Sequence, residues 1–194
     1  MKKILFVCHG NICRSPMAEY VMKDLVKKAG VENEFRIASA ATSREEIGNP
    51  VYTPARRKLA EHGISCDGHA ARQLRNSDYE EYDLLIGMDK ANLHNMYRIC
   101  GGDFNDKMHL LMEYAGRRKG PPHNPSEAGR VGRGEARERS EFSPQAETEE
   151  SRLCFDEVAD PWYTDDFDTT WRDVLAGCQG LLDDLLGKEG KTAC

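Results

Sequence analysis

The chain has 194 residues, enough for one hydrophobic core and a small appendage rather than several domains. Its formal net charge of −6 gives nucleic acid and anionic membrane surfaces little hold, and no apolar run reaches bilayer-spanning length. Seven cysteines, an odd number without a C-x-x-C pair, fit free thiols in a reducing cytoplasm better than a disulfide framework.

Met1-Lys2-Lys3 followed by Ile4 to Cys8 imitates a secretory signal, but the apolar run is too short for one. It reads instead as a strand buried on both faces. Ser15-Pro16 predicts a helix start, a hydroxyl N-cap with proline at the first helical position. Met17, Met22, Val21, Leu25, Val26 and Ala29 follow at helical spacing, and Gly30 ends the segment. Phe35 to Ser39 predicts a second strand, and Thr53-Pro54 opens a helix carried by Ala55, Leu59 and Ala60 and stopped at Gly63. Tyr82 to Met88 is a third buried strand. Asp89 caps the next helix, whose inner side carries Leu93, Met96, Tyr97 and Cys100. Met108 to Tyr114 is the expected fourth strand. The last helix has the clearest stripe: Phe167, Trp171, Val174, Leu175, Cys178, Leu181, Leu182 and Leu185. Strands alternating with helices predict an α/β fold, a doubly wound, four-stranded parallel sheet with helices on both faces. Residues 116–151 break the rhythm. They are poor in large apolar side chains, basic first and acidic later, and are expected to form a disordered insert in a single domain.

The stretch VCHGNICRSP, Val7 to Pro16, joins a strand end, a glycine-containing loop and a helix start. Loop N–H groups and a helix N-terminus make an anion trap. A thiolate there gains the stabilisation that a phosphate oxygen would, since helix N-termini and cations lower a cysteine pKa from about 8.5 to about 3.5–7.5. Arg14 offers a planar fork for two phosphoryl oxygens, and Ser15 a hydroxyl for the sulfur of Cys8. Cysteine, five residues and arginine is a weak pattern alone, and Cys66 to Arg72 repeats it. There Asp67 would repel a phosphate, no buried strand precedes Cys66 and no Ser-Pro follows, so Cys66 reads as an ordinary thiol. A leaving alkoxide or phenoxide also needs a proton donor. Asp160-Pro161-Trp162-Tyr163 offers an acid stiffened by proline beside two aromatics; the plainer alternative is a solvated aspartate next to a core tryptophan.

VCHGNICRSPMAE, HAARQ at His69 to Gln73, YDLLIGMDKANL at Tyr82 to Leu93 and DPWY at Asp160 to Tyr163 occur in that order. In these blocks the chain resembles the low-molecular-weight protein tyrosine phosphatase family and its phosphotyrosine phosphatase I-like fold. The resemblance implies hydrolysis of phosphotyrosine in a protein substrate through a phosphocysteine on Cys8. Arg14 would clamp the phosphoryl oxygens, and Asp160 would protonate the leaving group and then activate water. His9, Gly10, Asn11, Ile12, Cys13, Arg14 and Ser15 would form the phosphate-binding loop. Asn11 would hold its strained shape with Ser39 and His69, the latter as a structural donor rather than a base. Trp162 and Tyr163 would wall the cleft. Cys13 would form a reversible disulfide with Cys8, besides serving as a small buried hydrophobe. No metal or cofactor is implied, the expected location is cytoplasmic, and the chain is expected to be a monomer or weak dimer.

Two departures qualify the resemblance. Ala41 stands in Ser39-Ala40-Ala41-Thr42 where bacterial members often carry glycine, and Glu45-Glu46 stands where many members have an aromatic residue. Rival activities on the same fold are a protein arginine phosphatase, disfavoured by the bulk of Ile12, and an arsenate reductase, which needs a relay that Cys66 and Cys100 do not obviously form. A phosphate-binding scaffold would have lost Cys8, Arg14 or Asp160, and all three are present.

Overall fold

The computed structural model describes residues 1–115 and 157–187. The expected insert at 116–151 lies outside the described residues.

The four strands are β1 (Lys2–Cys8), β2 (Phe35–Ala41), β3 (Leu84–Gly87) and β4 (Met108–Leu110), all parallel, in the spatial order β2-β1-β3-β4. This is the expected α/β sheet. Its central strand shows why the opening apolar run does not alternate: both of its faces are covered. Ile4 and Phe6 enter one core with Met17, Met22 and Leu181, while Leu5 and Val7 enter a second with Tyr79, Met96 and Leu74. The first core is roofed by α1 (Arg14–Lys28), α2 (Thr53–Glu61) and α7 (Phe167–Leu185). The second lies under α3 (Asn76–Glu81) and α4 (Lys90–Cys100). The chain reverses its direction of winding beside β1, and in open parallel sheets that crevice at the strands' carboxyl ends is where ligands bind. Cys8 is the last residue of β1.

Four details depart from the sequence expectations. Helix α1 begins at Arg14 after Cys13, with no side-chain cap, so Ser15 is not its N-cap. The Ser15 hydroxyl is recruited by the loop instead. The expected strand Met108 to Tyr114 stops at Leu110 and turns into the short α5 (Met112–Ala115). Glu113 accepts the Leu110 N–H at 3.1 Å, and Leu111 and Tyr114, three apart, reach the first core together. Tyr97 lies outside the inner face of α4. The buried stripe there is Asn92, Met96 and Cys100, at perfect four-residue spacing, with a polar residue in it that an apolar count passes over. Ala29 is exposed at the end of α1.

Helix α7 lies hard against α5 because it carries glycine where they cross. A methyl at Gly180 would stand 2.2 Å from the Tyr114 carbonyl oxygen, and one at Gly177 would stand 2.5 Å from Leu111 Cγ. This contact brings the C-terminal helix home against the sheet. The first residue of α7, Phe167, lies with its ring 6.2 Å from that of Tyr52, whose N–H donates to the carbonyl of Ile12 in the loop that follows β1. Just before α7 lies α6 (Pro161–Thr164), the short helix capped by Asp160.

Candidate active site

The loop from His9 to Cys13 connects the end of β1 to the start of α1. Cys8 Sγ accepts from the Asn11 N–H at 3.3 Å and from Ser15 Oγ at 3.0 Å. Two donors aimed at one sulfur leave it the acceptor, the part a thiolate plays. Cys8, Asn11, Arg14 and Ser15 are all buried.

Asn11 sets the loop's shape. Its φ is +59°, in the left-handed region that costs most non-glycine residues energy and that asparagine tolerates best. Surrounding bonds hold it there. Its side-chain amide donates to Ser15 Oγ at 3.0 Å and to Ser39 Oγ at 2.7 Å, and its side-chain oxygen accepts the Arg72 N–H at 3.1 Å. The Asn11 carbonyl accepts from His69 Nε2 at 2.8 Å. A carbonyl only accepts, so that ring nitrogen carries the proton. Ser39 in turn donates to the buried carboxylate of Glu19, which Lys23 also reaches. Glu19 closes the VCHGNICRSPMAE block, but the sequence alone assigns it no role; its place one turn into α1, facing β2, does.

Arg14 is gripped from two sides. Its Nη1 lies 2.6 Å from Asp89 Oδ2 and its Nη2 lies 2.6 Å from Asp160 Oδ2. Each aspartate also caps a helix with its other oxygen: Asp89 Oδ1 accepts the Asn92 N–H at 2.6 Å, and Asp160 Oδ1 the Trp162 N–H at 3.1 Å. The expected cap at Asp89 is therefore present, and the clamp on Arg14 is the addition that sequence reading missed. Burial pulls against the Arg14 charge, but Cys8, Asp160 and Asp89 outweigh it and hold the guanidinium above its ordinary pKa. Burial foremost, then the negative charge of Cys8 and Asp160, pushes the Cys13 thiol up from 9.0 to about 12, against the pull of Arg14. Cys13 thus stays protonated beside an anionic site.

The rim is more open. His9 is exposed and its Nε2 meets Glu45 Oε2 at 3.2 Å. Gly10 packs against Glu46: a Cβ there would stand 3.2 Å from Glu46 Cγ. Trp162 is 61% exposed and Tyr163 85%, which removes the core-tryptophan alternative for this segment. The ring of Tyr52 lies 5.9 Å from that of Trp162, and the Tyr52 N–H donates to the Ile12 carbonyl at 2.8 Å. Tyr52, not singled out in the sequence, is therefore a third aromatic at this rim. Cys66 sits apart, buried, with no donor arrangement like that at Cys8 among the described residues. Among the described residues no group of three or more histidine, cysteine or carboxylate side chains is placed to hold a metal ion.

Comparison with known proteins identifies the family. Residues 3–129 match the family model described as low molecular weight phosphotyrosine protein phosphatase. The low molecular weight protein-tyrosine-phosphatase YfkJ of Bacillus subtilis is 31% identical over 94% of this chain and 94% of its own length. The low molecular weight phosphotyrosine protein phosphatase of Gallus gallus is 47% identical over 59% of this chain and 73% of its own. The crystal structure of YfkJ superposes with a TM-score of 0.75 over 98% of each chain. A buried cysteine under inward donors, a doubly clamped arginine and these alignments meet in one conclusion: the chain belongs to the low molecular weight phosphotyrosine protein phosphatase family.

Proposed function

We propose that this chain is a cysteine-dependent protein tyrosine phosphatase that hydrolyses phosphotyrosine through a phosphocysteine. The observation that carries the reading is the meeting of three groups at one loop: a sulfur that accepts two hydrogen bonds, a buried guanidinium and an aspartate bound to it. In the first step Cys8 Sγ attacks phosphorus and the bond from phosphorus to the tyrosine oxygen breaks. Asp160 gives its proton to the departing phenoxide. In the second step Asp160, now a carboxylate, takes a proton from water as the water oxygen attacks phosphorus. The sulfur–phosphorus bond breaks, returning the thiolate and releasing inorganic phosphate.

Arg14 spans two equatorial oxygens in both steps and offsets the charge that builds there. Asp89 is a positioning residue that fixes the plane of the guanidinium, and Asn11, Ser39 and His69 keep the loop amides turned inward. Ser15 steadies the sulfur as it leaves. Trp162, Tyr163 and Tyr52 border the aryl ring. The chemistry draws on the chain's own groups and calls for no metal or cofactor.

The same reading includes a brake. Peroxide oxidises the Cys8 thiolate to a sulfenic acid; the neighbouring Cys13 thiol then attacks that sulfur, forming a disulfide and expelling water. The substrates are phosphoproteins met in the cytoplasm by a monomer or weak dimer. No described helix is long and apolar enough to cross a membrane. Residues 116–151 are taken as an insert within one phosphatase domain, so a chain lacking them should keep its turnover of small aryl phosphates.

The deciding experiment is turnover of a simple aryl phosphate under reducing conditions, wild type beside Cys8→Ser. Turnover lost in the variant supports the reading. A folded wild type that leaves aryl phosphates intact, or a Cys8→Ser variant that keeps full turnover, contradicts it.

A further inference from the structure

A hollow of about 200 Å³ adjoins the catalytic loop, lined by Ile12, Glu46, Asn49, Pro50, Val51 and Tyr52 among others. Ile12 belongs to both the loop and the hollow. The bond from the Tyr52 N–H to the Ile12 carbonyl fixes the hollow's wall to the loop, and Tyr52 leads on to Trp162. Whatever lies in the hollow is therefore next to whatever sits over Cys8.

The chemistry of the lining is specific. Ile12, Val51 and the Tyr52 ring supply apolar surface, and Glu46 supplies the only charge. One Glu46 oxygen accepts from Asn49 Nδ2 at 2.6 Å; the other has no partner among the described residues. No lysine or arginine lines the hollow. Arg44, the cation preceding this acidic pair, instead donates through Nε to Gln73 Oε1 at 2.9 Å. Glu45 beside it adds a second carboxylate, shared with His9. The start of α2 at Thr53 contributes an opposing charge of about half a unit, too little to reverse a full carboxylate. An apolar trough ending in an uncompensated carboxylate suits a side chain with an aliphatic stem and a cationic tip.

Resting on the phosphotyrosine reading above, we propose that this hollow is the subsite for a lysine or arginine flanking the phosphotyrosine of the substrate, with Glu46 as its specificity-determining residue. The stem packs on Ile12, Val51 and Tyr52, and the cation pairs with Glu46. An acidic neighbour meets the same carboxylate as repulsion. Substrates with basic flanks are thereby selected over acidic ones.

The test uses full-length protein and phosphotyrosine peptides that differ only in one residue, lysine, alanine or glutamate, at each of the two positions on either side. In wild type, kcat/KM should favour lysine over glutamate by about five- to tenfold at one flanking position, the size of one partly exposed attraction plus one repulsion. The ratio should shrink as salt rises. It should fall towards one in Glu46→Gln and invert in Glu46→Lys. Equal kcat/KM for the lysine and glutamate peptides in wild type overturns the proposal, as does a preference that survives in Glu46→Gln. A simple aryl phosphate run alongside separates the two failures. Its turnover without peptide discrimination sinks the subsite alone, whereas its absence in folded wild type sinks the phosphatase reading and the subsite with it.

Discussion

The loop from Cys8 to Ser15 carries Arg14 and the segment from Glu157 to Phe167 reaches its guanidinium, but the two are built in opposite ways. In the loop, Asn11 and Ser15 are 0% exposed, and the side chains of Asn11, Ser15 and Ser39 form a continuous hydrogen-bonded chain ending on the sulfur. In the other segment Trp162 and Tyr163 stand out in solvent. That segment is held through Val158, whose N–H donates to the Met88 carbonyl, and through the hold of Asp160 on Arg14. The difference follows from the chemistry each must do. A group that binds developing charge works best when its dipoles are fixed beforehand. A group that gives up a proton and takes one back must admit water and let the product leave.

That contrast predicts which substitutions harm activity alone and which also harm the fold. Beyond Cys8→Ser, the largest effect on activity falls on Asp160→Asn. Its kcat should drop by about 10²- to 10⁴-fold, the worth of a general acid, while the unfolding midpoint barely moves. The loss should be larger for an aryl phosphate with a poor leaving group than for one with a good leaving group, which needs less help from a proton donor. Equal losses for the two substrates would assign the proton donor elsewhere.

Asn11→Ala should damage both properties. It leaves Ser39, Arg72 and the left-handed turn without their shared partner, costing about 2 kcal/mol or more by urea unfolding together with a large loss of kcat. Unchanged stability would mean that the loop is not held as described. Asp89→Ala loses a helix cap worth about 1 kcal/mol and frees one side of Arg14, so KM for aryl phosphate should rise with kcat reduced less than in Asp160→Asn.

Smaller still is Trp162→Ala. An exposed aromatic at the rim should alter KM a few-fold and leave both kcat and stability close to wild type. The mildest effect is a slope with pH. Burial raises the Cys13 thiol from 9.0 to about 12 and moves the fully buried Cys178 in the same direction. The folded chain then keeps protons that the unfolded chain has released, so stability is full below pH 9 and falls as pH climbs towards about 12. Replacing both cysteines with alanine should flatten the decline measured by urea midpoints; an unchanged slope would assign it to other groups.

Much of this organisation was legible in the chain itself. Ile4 to Cys8 reads as a doubly covered strand because all its residues are apolar, and the loop reads from cysteine, glycine, arginine and serine at fixed spacing. What escaped depends on topology. Asp89 caps α4 two residues beyond the end of β3, the strand beside the one that ends at Cys8, so its clamp on Arg14 exists only once β1 and β3 pair. Glu19 and Ser39 meet because α1 crosses back over β2. Helix α3, with the sequence NSDYEE, has no apolar stripe; its start is held by Asp78, whose carboxylate accepts the Arg75 N–H at 2.7 Å. Spacing from Leu93 puts Tyr97 on an apolar face, whereas the buried face of α4 is the one that carries Asn92 and Met96.

The most direct test of the central assignment is to look for the covalent intermediate. Asp160→Asn mixed rapidly with an aryl phosphate, quenched in acid and digested should carry one phosphoryl group on the sulfur of Cys8. Phosphate found on another residue, or steady turnover with no phosphocysteine in the quenched protein, would contradict the account.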